Sequence, residues 1–312
     1  MRTLWFRLAV ALLLCPNVAM AKVWFVPGDF ATIADAVTSS DVVNGDEIVL
    51  GSGNHAGVFL NKSLIFRGAG QAVIDSGPAH GSGLIQGFRL MAGSDGSAFQ
   101  NLIFTTDLAI INADGVDDVK VLHNTFLNSV QAVSDWRGNR WLIEHNDILD
   151  LHTRCGGGIG ILIGDFAGTA GGIDDNTVRH NKVKGTLHVP NGDCGGYNGS
   201  GIVLYADFRG GAAGAEAISN NVVTHNDVSV LVDNQGSVDP LDIVAFEMTD
   251  TRDDASELIV CGNHVGFNDW RGTGIQVVLT PGELDSCNDI SRNLGANRGH
   301  GLHPTLFNPV LP

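Results

Sequence analysis

Four His-Asn pairs, His123-Asn124, His145-Asn146, His180-Asn181 and His225-Asn226, recur after β-branched or apolar residues in the segments VLHNTF, LIEHNDI, TVRHNKV and VVTHNDV. Imidazole is a common metal ligand, so a column of four first raises the question of a transition-metal site. Repetition argues otherwise. Repeats stacked on one another deliver evenly spaced rungs, whereas zinc needs nitrogens converging to about 2.0–2.1 Å from one point. Alternation counted from Val121, Ile143, Val178 and Val223 puts the four imidazoles on one inward face. The expectation is therefore a structural column, with each Asn at a left-handed corner and bonded to the Asn of the next repeat.

Carboxylates form a second series. Apolar runs end in Asp at Asp114, Asp135, Asp165, Asp207 and Asp250, and GIQVVLTP continues the series without an acid. An Asp closing a strand commonly caps the next turn through backbone N–H groups, which accounts for Asp114 and Asp135 beside short loops. Asp165, Asp207 and Asp250 have long loops on both sides. Glu247 interrupts an apolar strand with no turn to cap, which makes it the strongest acid/base candidate, with Asp207 and Asp250 next.

The elements that must carry these residues follow from the intervals. Asn101 to Asn124 is 23 residues and Asn124 to Asn146 is 22, followed by 35 to Asn181 and 45 to Asn226. The short interval suits one turn of a solenoid built from three short strands, and the later growth falls on either side of the first strand. Strands running in one direction, one set per coil, pair with their counterparts in the next coil at about 4.8 Å. The fold expected is all-β, a single-domain parallel β-helix over 22–312 with about nine or ten coils. The 41 Gly residues, with abundant Val, Asn and Asp, fit short strands joined by tight turns.

The segment DFATIADAVTSSDVVNGDEIVLGSGNHAGVFLNKSLIFRGAG, followed by VIDSG, resembles the entry to right-handed parallel β-helix proteins of the pectin lyase-like superfamily. The resemblance implies right-handed coils behind a short N-terminal capping helix at TIADAV. That superfold hosts lyases, hydrolases, esterases, epimerases and non-enzymatic proteins, so the site must decide the function. Gly299-His300-Gly301 resembles a polygalacturonase motif and Asn112 to Gly115 is similar to its NTDG. The acid pair that should follow one coil later is missing: Asp117-Asp118 comes too early and Asp174-Asp175 too late. TFLNSVQAVSD is similar to a pectinesterase strand, without that family's later QDTL, DFIFG and LGRPW segments. No Arg-Xaa-Pro-Xaa-Xaa-Arg of a pectate lyase is present.

Loops on both sides of the first strand imply two walls, and long loops on a rigid scaffold are where binding concentrates. LDLHTRCGGG, KGTLHVPNGDCGGYNGSG and SVLVDNQGSVDPLD precede the strands; FAGTAGGI, FRGGAAGAE and TRDDASE follow them. With Ile202, Leu204, Val244, Phe246 and Met248 inward, the floor of the groove would present Val203, Tyr205, Asp207 and Glu247, continued by Gln276 and by His300 or His303. Tyr205, Gln276, Arg209, Arg252 and His303 are the candidate substrate contacts. Arg154, Arg209, Arg252 and Arg271 suit uronate carboxylates, although Asp253, Asp254 and Asp269 are competing partners. Asp250, Asp253 and Asp254 form a candidate Ca²⁺ site. The leading reading is a protein that binds, and as a lyase or hydrolase cleaves, an acidic polysaccharide; the rival is a non-catalytic periplasmic or surface scaffold.

The remaining features bound the setting. Arg2 and Arg7, the apolar run Leu8–Leu14 and Ala19-Met20-Ala21 have the form of a secretory signal peptide over 1–21, with Lys22 as the mature start and a secreted or periplasmic protein as the product. No later stretch has the roughly 20 apolar residues of a membrane helix. A formal charge of −16 makes nucleic acid an improbable partner. A monomer is expected. Cys155 and Cys194 precede first strands of consecutive coils, as Cys261 and Cys287 belong to consecutive coils, so two disulfides with those pairings are the first expectation and free thiols the alternative.

Overall fold

The computed structural model describes residues 20–112, 114–166, 172–193, 199–206, 217–235, 243–250, 260–280, 284–295, 298–299 and 310, with backbone alone at 250, 280, 284–285 and 298–299. Three long sheets account for the architecture, with ten, nine and seven strands among the described residues. Within each sheet a strand pairs in parallel with its counterpart one coil away. Val121 aligns with Ile143, Ile143 with Val178, Val178 with Val223 and Val223 with Val265 in the ten-stranded sheet. Phe126, Ile148, Val183 and Val228 do the same in the seven-stranded sheet. The chain visits the ten-, seven- and nine-stranded sheets in turn, as in Lys120–Leu122, Thr125–Ser129 and Gln131–Trp136, so the fold is a parallel β-helix.

Like residues fall above like because the same strand recurs in every coil, and the interior is columns of Val, Ile, Leu and Phe at or near zero exposure. Phe104 and Phe126 stack with ring centres 4.9 Å apart. Each fully buried side chain of this size contributes about 1.5–3 kcal/mol, multiplied along every column. A helix spans Ile33–Thr38; Thr32 accepts from the Asp35 N–H while Asp35 reaches back to the Thr32 N–H, and Ile33, Ala36 and Val37 join the core.

The corners differ from the sequence expectation. The left-handed residue is the His, not the Asn: φ is 55° at His123, 56° at His145, 55° at His180 and 57° at His225. That conformation ends the strand and breaks the alternation, so all four imidazoles are exposed instead of inward. They stack outside, ring on ring, at 5.0, 5.0 and 5.1 Å, and Phe267 continues the stack at 5.2 Å.

The buried ladder is made by the residue after each His. Asn146 donates from its backbone N–H and its Nδ2 to Asn181 Oδ1 at 3.0 and 2.9 Å, and its Nδ2 also donates to the Val121 carbonyl at 2.8 Å. Asn124, Asn181, Asn226 and Asn268 repeat the pattern. A second ladder, Asn176, Asn221, Asn263 and Asn288, lies at the other end of the same strands. Its signature is printed in the chain as Asn-Xaa₄-Asn in NTVRHN, NVVTHN, NHVGFN and NDISRN. Two buried amide columns five residues apart hold the strands Thr177–Arg179, Val222–Thr224, His264–Gly266 and Asp289–Ser291 at both ends.

Candidate functional site

The expected groove floor is the outer face of the nine-stranded sheet. Ile202, Leu204, Phe246 and Met248 point into the core, and Val203 and Glu247 share an outward column with Ile111, Ser134, Leu162 and Val278. Val244 is a correction: it aligns with Ser200, in the column of Leu108 and Ile159, which belong to the outer cluster. The same holds for Gln276, whose rung neighbours place Val278, not Gln276, opposite Glu247. Asp165 and Asp250 flank Ala206 in one column, whereas Asp135 aligns with Ile163, so the strand-ending acids do not form a single row.

This floor is sealed instead of open. Val203 and Tyr205 are fully buried in a second apolar cluster with Leu84, Leu108, Ile111, Val130, Trp136, Ile159 and Leu162, against which Phe166 and Val310 pack. Tyr205 meets Trp136 edge-on at 6.1 Å. Gln131 holds Val310 by accepting from its N–H at 2.5 Å and donating to its carbonyl at 3.3 Å. Arg137 lies 4.1 Å over Phe166 and 3.5 Å from Asp165.

Glu247 is 3 % exposed and accepts from the Ser200 hydroxyl at 2.7 Å. Burial pushes its carboxyl up to about 7, against the lowering effect of that hydrogen bond. A carboxyl poised near neutrality can either give or take a proton. Asp207, Arg209, Arg252, Asp253, Asp254, His303 and Cys194 lie outside the described residues, as do His300 and the side chain of Asp250. Among the described residues no group of three or more His, Cys, Asp or Glu is placed to hold a metal ion.

Several motif residues have structural work. Asn112 accepts from the Asp114 and Val116 N–H groups and donates to Asp135. Asp117 and Asp118 bind Arg140. Asp135, fully buried, accepts from the Gly138 N–H at 2.9 Å, as expected of a turn cap, and burial pushes its carboxyl up to about 8. Arg271 is taken by Asp269 at 2.6 Å. Cys261 and Cys287 are joined, with Cα atoms 5.2 Å apart; Cys155 is also disulfide-bonded, and Cys194, its expected partner, is not described.

The open polar site lies one corner away, where the seven-stranded sheet turns toward the nine-stranded one. The coil of Thr125–Ser129 and Gln131–Trp136 makes this turn through Val130 alone, while the next three coils insert 153–158, 190–198 and 235–242. These are the loops expected to wall the groove. A cleft of about 390 Å³ opens there, lined by Asn128, Asp150, His152, His188, Pro190 and Gln235.

Register brings its chemistry together, because His152, His188 and Asp233 align on three successive rungs. His152 is clamped, with Nδ1 2.7 Å from the Asn128 carbonyl and Nε2 3.3 Å from Asp107 Oδ1. Burial would raise the Asp107 carboxyl, but the His152 contact, the Ile85 N–H at 2.8 Å and the charges of His152 and Arg154 hold it below the usual range. His188 turns Nδ1 toward Asp233 at 3.5 Å, and Gln235 donates to the same Asp233 oxygen at 2.8 Å. Asp150, left-handed at φ 56°, uses one oxygen to accept the Thr186 N–H at 2.8 Å.

Sequence reasoning passed over this constellation, although a signal exists. LHT, LHV and VDN follow the corner His by seven, eight and eight residues, and the extra residue is the bulge in the strand Lys182–Val189.

No family model and no curated protein matches the chain. Among solved structures it is similar to an alginate lyase from Paenibacillus sp. str. FPU-7, at 14 % identity and a TM-score of 0.36, covering 90 % of this chain and 98 % of that one. The coil architecture described above rests on this chain's own strand register.

Proposed function

We propose that this chain is an exported polysaccharide-binding β-helix of the pectin lyase-like superfamily, in which the cleft at His152, His188 and Gln235 receives the sugar. The observation that supports it is the cleft itself. Its volume is within the range of small-molecule sites, and three rungs supply imidazole, carboxylate and amide groups in fixed array. Sugar hydroxyls both donate and accept, which suits Asp150, His188 and Gln235 side by side. A rigid parallel stack holds these groups in place without the ligand having to order them.

Binding without cleavage is the reading favoured by the structural work done by Asn112, Asp117, Asp118 and Asp135. If the polymer is also cut, Asp207 and Asp250 are the acid/base candidates, with Arg209, Arg252 and His303 as supporting contacts, since Glu247 and Tyr205 are buried and Gln276 lies outside the Glu247 column. Ca²⁺ at Asp250, Asp253 and Asp254 would neutralise substrate carboxylates.

The test is a screen of the purified protein against neutral and uronic-acid oligosaccharides and polymers, with and without Ca²⁺. It reads binding by calorimetry, and cleavage by unsaturated products and reducing ends. Binding that is lost in His188→Ala supports the cleft; no binding to any saccharide overturns it.

A further inference from the structure

The corner column of imidazoles has no part in the cleft. A left-handed corner does not require His: this chain uses Asn101 at φ 55° in the same column and Asn220 at φ 56° in another. Four consecutive coils nevertheless place His there. Each ring covers the face of the next, so the exposed edges form a line of ring nitrogens repeating at 5.0–5.1 Å.

The surroundings make the imidazoles decide the local charge. On the strand before the corner stand Lys120, Glu144 and Arg179, and Arg179 pairs with Glu144 at 2.9 Å. On the strand after it stand Asp147, Lys182, Lys184 and Asp227, where Lys182 pairs with Asp147 at 3.6 Å and Lys184 with Asp227 at 2.6 Å. Asp269 beyond them is held by Arg271, and Phe267 closes the stack beneath Arg292. His145 is 3.4 Å from Glu144; no ring nitrogen of His123, His180 or His225 has a hydrogen-bond partner among the described residues. With fixed charges largely paired, protonating the column adds four positive charges in a straight line on a protein of net charge −16.

We propose that the column His123, His145, His180 and His225 is a pH-gated docking line for an acidic polysaccharide, engaged when the imidazoles are protonated. This rests on the polysaccharide reading for the kind of polymer, and adds its charge class and a second contact surface. A polyuronate carries one carboxylate per sugar along an extended chain, on the length scale of the coil rise of about 4.8 Å. Duplex nucleic acid advances by about 3.4 Å per phosphate on each strand and does not keep step with the rings. Burial and the charges of His145 and His225 hold His180 below the ordinary imidazole range, so an anionic chain laid along the column relieves the repulsion and draws in protons.

The experiment measures binding of a uronic-acid oligosaccharide, with a neutral oligosaccharide of equal length and a duplex DNA as comparison ligands, from pH 7.5 to 5.0. The wild-type chain is compared with the quadruple variant His123→Asn, His145→Asn, His180→Asn, His225→Asn; Asn is native to this corner, and circular dichroism checks that the variant is folded. The double variant His145→Asn, His180→Asn serves if the quadruple one is not. The expected result is a gain of at least about tenfold in affinity for the uronic-acid ligand on acidification, as for several newly formed ionic contacts. That gain is lost in the variant and accompanied by proton uptake in buffers of differing ionisation enthalpy. An equal gain in the variant, no gain in the wild type, or an equal gain for DNA overturns the proposal. Neutral-ligand binding at pH 7.5, abolished by His188→Ala and untouched by the Asn variants, reports separately on the cleft.

Discussion

Asn146 and Asn181, 35 residues apart, are joined side chain to side chain at 2.9 Å inside the coil stack, while the His before each of them stacks on its neighbour outside. One corner thus carries two ladders with different physics. The inner one satisfies buried amides and the outer one meets solvent.

Breaking the inner ladder strands its partners. Asn181→Ala removes the acceptor of two bonds from Asn146 and two donors, one to Asn226 and one to the Ile143 carbonyl. Buried groups left unpaired cost about 1–3 kcal/mol each. Chemical denaturation should show a loss of at least about 2 kcal/mol on that basis. His180→Asn, on the outer ladder, should change stability by less than about 1 kcal/mol, since the left-handed conformation suits Asn.

Stability should fall as pH rises from 4.5 to 7 because of Glu247. Its folded carboxyl titrates near 7 against 4.5 unfolded, so the native state holds more protons in that window and loses the advantage as it ionises. Asp135, at about 8 against 3.8, acts in the same direction. Glu247→Gln should flatten its share of the slope and stabilise the protein at pH 8, as read by thermal melts across pH.

His180 acts in the opposite direction. His180 titrates lower in the fold than the ordinary 6.5, so the unfolded chain binds more protons just below that value, and stability drops as pH falls through it. Added uronic-acid polymer should reverse this drop, whereas the Asn variants should lack it.

Gly157 tests the turn that opens the cleft. It sits at φ 78°, and a Cβ there would lie 2.2 Å from Val130 Cγ1 and 2.9 Å from the Val130 carbonyl. Gly157→Ala should destabilise by more than about 1 kcal/mol, the penalty of a left-handed non-Gly residue alone, and should weaken saccharide binding as His152 shifts.

The coil architecture could be read from spacing, because a repeat copies its register into the sequence at every turn. The direction of the corner side chains could not. Alternation predicts His123 inward only if the strand continues, and a single left-handed residue reverses it. The outward position of Glu247 followed correctly from alternation, but not its burial, because alternation gives the face a side chain points to and not what covers that face; the outer apolar cluster beside it draws on chain as distant as Leu84 and Val310. The cleft was hidden for a third reason. His152 and His188 align only after a bulge shifts their offset from the corner by one residue.

The decisive measurement is calorimetric titration of neutral and uronic-acid oligosaccharides into the wild-type protein and His188→Ala. The wild type should bind saturably at pH 7.5, the variant at least about tenfold, or 1.4 kcal/mol, more weakly, and Glu247→Gln as the wild type does. Equal affinity in wild type and His188→Ala, or no heat with any saccharide, would contradict the cleft as the binding site.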